Sequence, residues 1–212
     1  MKKALVLGLL ILFSPVISPA AVRLGLSGGY AKHLESDFGG GLAAGFTLAL
    51  DLTAMFSVEA RAARIASGVT GSPASLSQGR MILAPLEVAF VARFGGGKKL
   101  VPYVAAGGGY GLNSFKLDST LLNDWSNMGM SVAESLKGGL TILAGAGLDY
   151  ELKRGEARGR GLFFNAEVRF LMSKSDGTWS LTDNASREKA EGLLEGLKLD
   201  TLVIGLGLKY GF

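Results

Sequence analysis

The last twelve residues, TLVIGLGLKYGF (201–212), decide the fold. Apolar side chains occupy every second position of this segment, and the positions between them hold Thr201, Val203, Lys209 and three glycines. A period of two residues places alternate side chains on opposite faces of an extended chain. The segment is therefore predicted to be a β-strand whose apolar face consists of Leu202, Ile204, Leu206, Leu208, Tyr210 and Phe212.

The same alternation recurs in seven earlier segments of the chain. They are 22–30, 42–50, 56–62, 82–94, 104–112, 140–150 and 162–170. Most have roughly the 9 to 11 residues that a tilted strand needs to cross the hydrocarbon layer of a membrane. We therefore predict an all-β fold, an eight-stranded antiparallel transmembrane β-barrel.

A soluble β-sandwich would also show alternation, and three features favour the barrel over it. Short connections near Asp51, at 95–99 and at 153–160 alternate with long ones at 67–79, 113–138 and 173–196, as in barrels with short periplasmic turns and long external loops. An even strand count returns both chain ends to one side. Aromatic residues on the apolar face gather in two groups, Tyr30, Tyr110 and Phe170 toward the outside and Phe94, Tyr150, Tyr210 and Phe212 toward the periplasm.

The first residues predict a secretory signal peptide. Lys2 and Lys3 precede an apolar run, Ala4 to Phe13, and small residues lie around Ala20. The run is shorter than a spanning helix, and Pro15 interrupts it. We expect residues 1–20 to be the signal peptide, cleaved after Ala20 or Ala21, and residues 21–212 to form the barrel domain.

The composition excludes several kinds of site and partner. The chain has no cysteine, which excludes disulfides, a thiolate zinc site, a cysteine nucleophile and a lipoprotein anchor. The net charge of +4 comes from 22 basic and 18 acidic residues without a basic block, so no nucleic-acid partner is expected. Spacing typical of metal ligands is missing from the sequence as well.

Two sets of residues carry a family resemblance. The final strand, with Leu208, Tyr210 and Phe212 at its end, resembles the C-terminal assembly signal of bacterial outer-membrane barrels. The segments PYVAAGGGY (102–110), GAGLDY (145–150) and EVRF (167–170) resemble the small outer-membrane β-barrel superfamily of OmpA, OmpX and the opacity proteins. The resemblance implies a location in the cell outer membrane, contact with membrane lipid and lipopolysaccharide, and insertion by the barrel assembly machinery. It implies no cofactor and no specific chemistry.

Turning the apolar face toward lipid leaves charged side chains inside the barrel. These are Arg23, Glu59, Arg61, Glu87, Arg93, Asp149, Glu151, Glu167, Arg169 and Lys209, together with the polar Asn165. Because eight strands enclose little more than their own side chains, we expect these residues to pair into a plug of salt bridges and hydrogen bonds. The alternative is a narrow gated pathway in which the same charges set selectivity.

His33 is the only histidine, and Ser36 and Asp37 follow it closely. A histidine with a serine and an acid at the barrel rim is an arrangement that lipid-modifying enzymes use. The spacing differs from the histidine-x-serine pattern of lipid A deacylases, so we interpret His33 as an exposed loop residue and predict that the protein is not an enzyme.

The long loops leave the most room for function. Segments 117–136 and 185–197 are each predicted to form a short amphipathic helix. The leading hypothesis is a non-enzymatic anchor whose external loops mediate adhesion, another interaction with an unidentified surface ligand, or envelope integrity. The alternatives are a narrow channel like OmpW for small or apolar solutes and, third, a lipid-modifying enzyme.

Overall fold

The computed structural model describes residues 21–35, 38–69, 78–95, 98–154 and 161–212. The signal peptide predicted at 1–20 lies outside these residues and stays a prediction. The described strands are β1 (Val22–His33), β2 (Phe38–Asp51), β3 (Phe56–Val69), β4 (Gly79–Arg93), β5 (Leu100–Leu117), β6 (Met130–Leu136), β7 (Gly139–Arg154), β8 (Gly161–Asp183), β9 (Lys189–Lys198) and β10 (Thr201–Gly211). One helix, α1 (Ser119–Asn127), lies between β5 and β6. No helix in the described ranges is long and apolar enough to cross a membrane.

Eight of the strands close into an antiparallel barrel. Strands β1 to β5, β7, β8 and β10 pair in that order, and β10 pairs with both β8 and β1. The predicted eight-stranded antiparallel barrel is therefore confirmed. Closure pairs the backbone groups that an open sheet would leave exposed at its edges, which hydrocarbon does not tolerate.

The register fixes the width of the barrel. A row of paired residues that starts at Phe163 of β8 runs through every barrel strand and returns to β8 at Ser173, ten residues further along. A shear of ten in eight strands corresponds to a strand tilt of roughly 40°. Such a barrel is just wide enough for its own side chains.

Residue parity separates the two faces of the wall. Even-numbered side chains of the barrel strands face outward, and odd-numbered ones face the lumen. Phe38, at the start of β2, is the exception, because a register shift between Phe38 and Gly41 turns it inward. On the outer face Leu26, Leu42 and Leu140 are 69%, 75% and 78% exposed. Large apolar side chains with this exposure, repeated around the whole wall, form a surface suited to lipid and not to water.

Aromatic residues lie near both ends of this apolar surface. Tyr30 and Tyr110 are exposed near the end that carries the long connections, and Tyr150 near the opposite end, where the described chain begins and ends. We call these the outer and the periplasmic end. The predicted assembly signal lies at the periplasmic end, where Leu208, Tyr210 and Phe212 are exposed and the last two rings contact each other edge to face at 4.9 Å.

Pro85 lies inside β4, where a proline cannot donate to a ladder. The pairing of β3 with β4 passes from Ala62–Leu86 directly to Ile65–Leu83, so Pro85 lies at an interruption of the ladder. The missing N–H is therefore tolerated within the strand.

At the outer end a three-stranded sheet rises beyond the barrel. Strand β8 continues as its central strand, β6 pairs with Gly177–Asp183, and β9 pairs with the segment between Lys174 and Thr182. We call β6, β9 and residues 174–183 of β8 the projecting sheet.

The projecting sheet corrects the helices predicted in the two loops. In 117–136 the helix covers only Ser119–Asn127, where Asp118 caps it by accepting from the backbone N–H of Thr120, and Gly129 at a φ of +76° ends it. In 185–197 the chain forms β9. Two glycines weaken a helix there, Gly192 and Gly196, and pairing with β8 satisfies the backbone instead.

Candidate functional site

The periplasmic half of the lumen holds an ion-pair network. Its members are Arg23, Asp51, Glu59, Arg61, Arg93, Asp149, Glu167 and Lys209. All except Asp51 were among the predicted lumen residues. The parity of the strands brings them together because each occupies an odd-numbered position.

Glu59 lies at the centre of the network and is fully buried. Its Oε2 accepts from Arg61 Nη2 at 2.6 Å and from Arg61 Nε at 2.9 Å, and its Oε1 accepts from Arg93 Nη2 at 2.9 Å. Lys209 Nζ lies 3.8 Å away. Arg61 continues the chain of contacts, since its Nη1 donates to Glu167 Oε1 at 2.7 Å. One carboxylate therefore holds three cations from three strands.

Asp149 forms the second centre. It lies 3.4 Å from Arg93 Nε and 3.3 Å from Lys209 Nζ, and its Oδ1 accepts from Asn165 Nδ2 at 2.8 Å. Asn165 also donates to the hydroxyl of Tyr103 at 2.9 Å, and Lys209 Nζ lies 4.8 Å from the centre of that ring. Charges, amide and ring together fill this cross-section of the barrel.

Three lumen residues of this half were not singled out from the sequence: Asp51, Ser57 and Tyr103. Asp51 pairs with Arg23, and Ser57 accepts from Arg93. Each is an odd-numbered residue of a strand with apolar even-numbered neighbours. Extending the alternation one residue beyond the apolar runs would have found Asp51 and Tyr103, and Ser57 already lies within the run 56–62.

The remaining predicted lumen charges lie at the two margins of the network. Glu87 and Arg169 are above it, with Arg169 Nη1 3.9 Å from Glu87 Oε2. Glu151 lies below it, partly exposed, beside a bulge at the periplasmic end of β7. A cavity of about 30 Å³ along Ser27, Glu167 and Arg169 is large enough only for one or two water molecules. Among the described residues, no group of three histidine, aspartate or glutamate side chains is placed to hold a metal ion.

The outer half of the lumen is apolar, which the sequence did not indicate. Its buried cluster consists of Ala31, Phe38, Ala43, Ile65, Val69, Met81, Leu83, Ala89, Phe115, Leu136, Leu143, Leu171, Leu199 and Val203. Leu194 and Leu197 of β9 pack against it from the projecting sheet. The lumen is therefore filled mainly by charges at one end and mainly by hydrocarbon side chains at the other, where the hydroxyls of Ser67, Thr141, Ser173 and Thr201 are also buried.

His33 was predicted to be an exposed loop residue, and this prediction is wrong. It is the last residue of β1, faces inward and is 1% exposed. Its Nε2 lies 2.9 Å from Ser67 Oγ and its Nδ1 2.8 Å from Thr201 Oγ1, while the ring contacts Phe38. The neighbours Ser36 and Asp37, considered with it as a lipid-modifying site, lie outside the described residues.

Hydrogen-bond donors decide the state of this imidazole. Thr201 has one hydroxyl proton, which it donates to the Leu199 carbonyl at 2.7 Å. Nδ1–H of His33 therefore donates to Thr201, and Nε2 accepts from Ser67. His33, Ser67 and Thr201 thus form a buried hydrogen-bonded group at the outer end of the apolar cluster.

The projecting sheet carries an aromatic residue and a capped hairpin. A side chain at Gly192 would overlap the ring of Trp179, so the indole lies directly over the backbone of β9. Leu193 is 65% exposed on the opposite face. At the tip, the backbone N–H groups of Ala185 and Ser186 donate to the carboxylate of Asp183 and hold its pKa below the usual range. These hydrogen bonds stabilise the turn between β8 and β9.

No protein-family model matches the chain, and no curated protein sequence matches it. Solved structures do resemble it. The outer membrane protein OprG from Pseudomonas aeruginosa has a TM-score of 0.58 at 16% identity, with 90% of this chain and 95% of that chain covered. Neisserial surface protein A has a TM-score of 0.58 at 11% identity, covering 92% and 98%. A major outer membrane protein from Thermus thermophilus has a TM-score of 0.55 at 12% identity, covering 90% and 99%.

The closed wall, its apolar outer surface and these likenesses define the class, a small transmembrane β-barrel of the outer membrane. Within this class, the fold is the one that the sequence resemblance implied, with eight strands and with the long connections at one end only. The predicted location in the cell outer membrane agrees with this fold.

Proposed function

We propose that the protein is a non-conducting anchor in the outer membrane and that it presents the projecting sheet for recognition at the cell surface. The observation that carries the proposal is the filling of the lumen. Glu59, Arg61 and Arg93 form one block across the periplasmic half, and the apolar cluster around Leu143 and Leu199 forms a second block across the outer half. An ion would have to break buried ion pairs and then enter a hydrocarbon environment.

The projecting sheet supports the second part of the proposal. A barrel needs only short connections to cross a membrane, yet β8 runs for 23 residues and is flanked by β6 and β9 beyond the barrel. Trp179 and Leu193 are the kind of amphipathic and apolar side chains that interfaces bury. No catalytic step is part of the proposal, since the described partners of His33 satisfy its ring nitrogens.

Single-channel recording tests the anchor. The mature chain is refolded, checked for heat-modifiable gel migration and inserted into a planar bilayer. Wild type is expected to be silent, and a measurable conductance is expected only from a variant that combines Glu59→Ser and Arg61→Ser with Leu143→Ala and Leu199→Ala, because each half of the lumen forms a block of its own. Lys98→Gln, at the periplasmic turn, is the control and should stay silent. Discrete openings from wild type would contradict the anchor and support a narrow channel like OmpW.

Surface adhesion tests the recognition role. Bacteria that display the full chain are applied to immobilised laminin, fibronectin and collagen. Wild type is expected to adhere above empty cells and Trp179→Ala to lose most of that adhesion, while Trp125→Ala, in α1 outside the sheet, should retain it. Adhesion equal to that of empty cells, or an equal loss in both variants, would remove adhesion by the sheet from the proposal.

A further inference from the structure

Two pairs of basic residues face each other directly across strands at the outer end of the barrel. Arg80 of β4 is the register partner of Lys116 of β5, and Lys174 of β8 is the partner of Lys198 of β9. All four side chains are exposed. Arg80, Lys116 and Lys174 occupy even-numbered positions, so they share the outward face of the wall, and Lys198 lies on the same face as its partner.

Such pairs are unfavourable unless something neutralises them. Side chains directly opposite in an antiparallel pair are about 5 Å apart at Cβ, and like charges there are destabilising. Three carboxylates lie two residues along the chain from these cations: Asp118 from Lys116, Asp176 from Lys174 and Asp200 from Lys198. Asp200 accepts from the backbone N–H of Ser173 at 3.1 Å. Asp118 accepts from the N–H of Thr120 at 2.8 Å and Asp176 from the N–H of Gly196 at 2.9 Å. Within the described part of the chain, none of the four cations forms an ion pair.

Both pairs lie where the apolar surface ends. Below Arg80 the outward positions hold Ile82 and Ala84, and below Lys116 they hold Ser114 and Leu112. Below Lys174 they hold Met172, Phe170 and Val168. Leu112, Met172 and Val168 are exposed to the surroundings of the barrel. No acidic residue occupies a described even-numbered position of the barrel strands between the periplasmic end and these pairs. The surface below the pairs is therefore largely apolar, with Ser114 and the exposed Arg64 as polar exceptions, and becomes positively charged at the pairs.

We propose that each pair binds a phosphate group of an anionic lipid of the outer leaflet, most simply a glycolipid that carries two phosphates. Acyl chains of such a lipid pack on the apolar columns, while its phosphates reach the cations immediately above. Arg80 suits this role because a guanidinium donates two parallel hydrogen bonds to a phosphate. The proposal requires the outer-membrane location. Lys174 and Lys198 lie at the base of the projecting sheet, but the proposal does not involve Trp179 or the filling of the lumen, so it and the proposed function fail in different experiments.

Native mass spectrometry of the refolded mature chain in neutral detergent tests the proposal. The probes are diphosphorylated lipid A and the same lipid with both phosphates removed. Wild type is expected to retain the phosphorylated lipid preferentially. Arg80→Gln with Lys116→Gln, and separately Lys174→Gln with Lys198→Gln, should each weaken retention about tenfold or more, since a basic residue near an anionic membrane surface contributes measurable attraction.

The matched control is Lys98→Gln with Lys99→Gln, which removes two neighbouring exposed cations at the periplasmic end. It should leave lipid retention unchanged. Equal retention of the two lipids by wild type, or an equal loss in the control, would overturn the proposal, because either result reduces the effect to hydrophobic contact or net charge. Displacement of the lipid by millimolar inorganic phosphate would overturn the lipid as the ligand and leave free phosphate in its place.

Discussion

The two halves of the lumen fill the same width with opposite chemistry. In the periplasmic half, Glu59 and Asp149 hold cations from several strands, and each charge depends on its partner. In the outer half, Leu143, Met81 and Leu171 pack without partners of that kind. Desolvation offsets much of the Coulomb attraction of a buried ion pair, whereas burial of apolar area is favourable throughout. The ion pairs of the charged half therefore add little net stability. Removing one partner of a pair is nevertheless strongly destabilising, because it leaves the other charge buried and unpaired.

Removing the central carboxylate should give the largest effect. Glu59→Gln leaves Arg61 and Arg93 buried with too little negative charge, and we expect the free energy of unfolding to fall by about 4 kcal/mol. Urea titration of the barrel in lipid vesicles measures it. Glu188→Gln in the exposed hairpin is the control and should change little. If Glu59→Gln lowered the free energy of unfolding by less than Leu143→Ala does, the charged half would not be the more sensitive of the two.

In the apolar half, Leu143→Ala should create a cavity and lower the free energy of unfolding by about 3 kcal/mol. Leu143 is 1% exposed and belongs to the outer cluster. The same titration measures the effect, and Leu193→Ala in the projecting sheet, where the side chain is 65% exposed, should cost far less. Equal losses in the two variants would mean that the cluster is loosely packed.

The border between the apolar cluster and the rim is tested at His33. His33→Leu leaves the hydroxyls of Ser67 and Thr201 buried without their partner and should cost about 2 kcal/mol. The triple variant with Ser67→Ala and Thr201→Val removes those hydroxyls too and should recover part of the loss. If the triple variant is less stable than the single one, the hydrogen bonds do not explain the position of His33.

The smallest effect concerns the fit of a ring to the wall. A Cβ at Gly147 would lie 2.5 Å from the ring of Tyr103 and 2.5 Å from the backbone carbonyl oxygen of Ala166. Gly147→Ala should therefore displace the ring and shift the backbone of β8 at Ala166, at a cost of about 1 kcal/mol. The control is Gly68→Ala, since nothing lies within 4 Å of a Cβ there. Thermal unfolding, followed by gel migration, compares the two variants. Equal unfolding temperatures would show that the barrel wall adjusts to the added methyl group without loss of stability.

Alternation predicted the eight barrel strands because lipid demands an apolar outer face, which imposes a period of two on each strand. It also placed Glu59, Arg61, Asp149 and Lys209 inside. It failed where both faces are apolar: around Ile65, Leu83 and Leu171 the inward residues resemble the outward ones, so no pattern marks the outer half as lumen. His33 was missed for a different reason: the first strand was predicted to end at Tyr30, whereas β1 continues to His33.

The projecting sheet lay beyond what the pattern could predict. The projecting sheet is at least partly exposed on both faces, so neither face has to be apolar, and Leu193 and Leu194 stand side by side in β9. The chain there becomes a strand because β8 offers an unpaired edge, which is a tertiary contact and not a local propensity.

The uninterrupted length of β8 has a mechanical consequence. Because one strand runs from Gly161 to Asp183, the projecting sheet is joined to the barrel wall through continuous backbone and not by a hinge at this strand. A pull on Trp179 would pass along β8 into its ladders with β7 and β10 and load those hydrogen bonds in shear, all at once. The projecting sheet and the barrel wall therefore resist separation by tension along this strand.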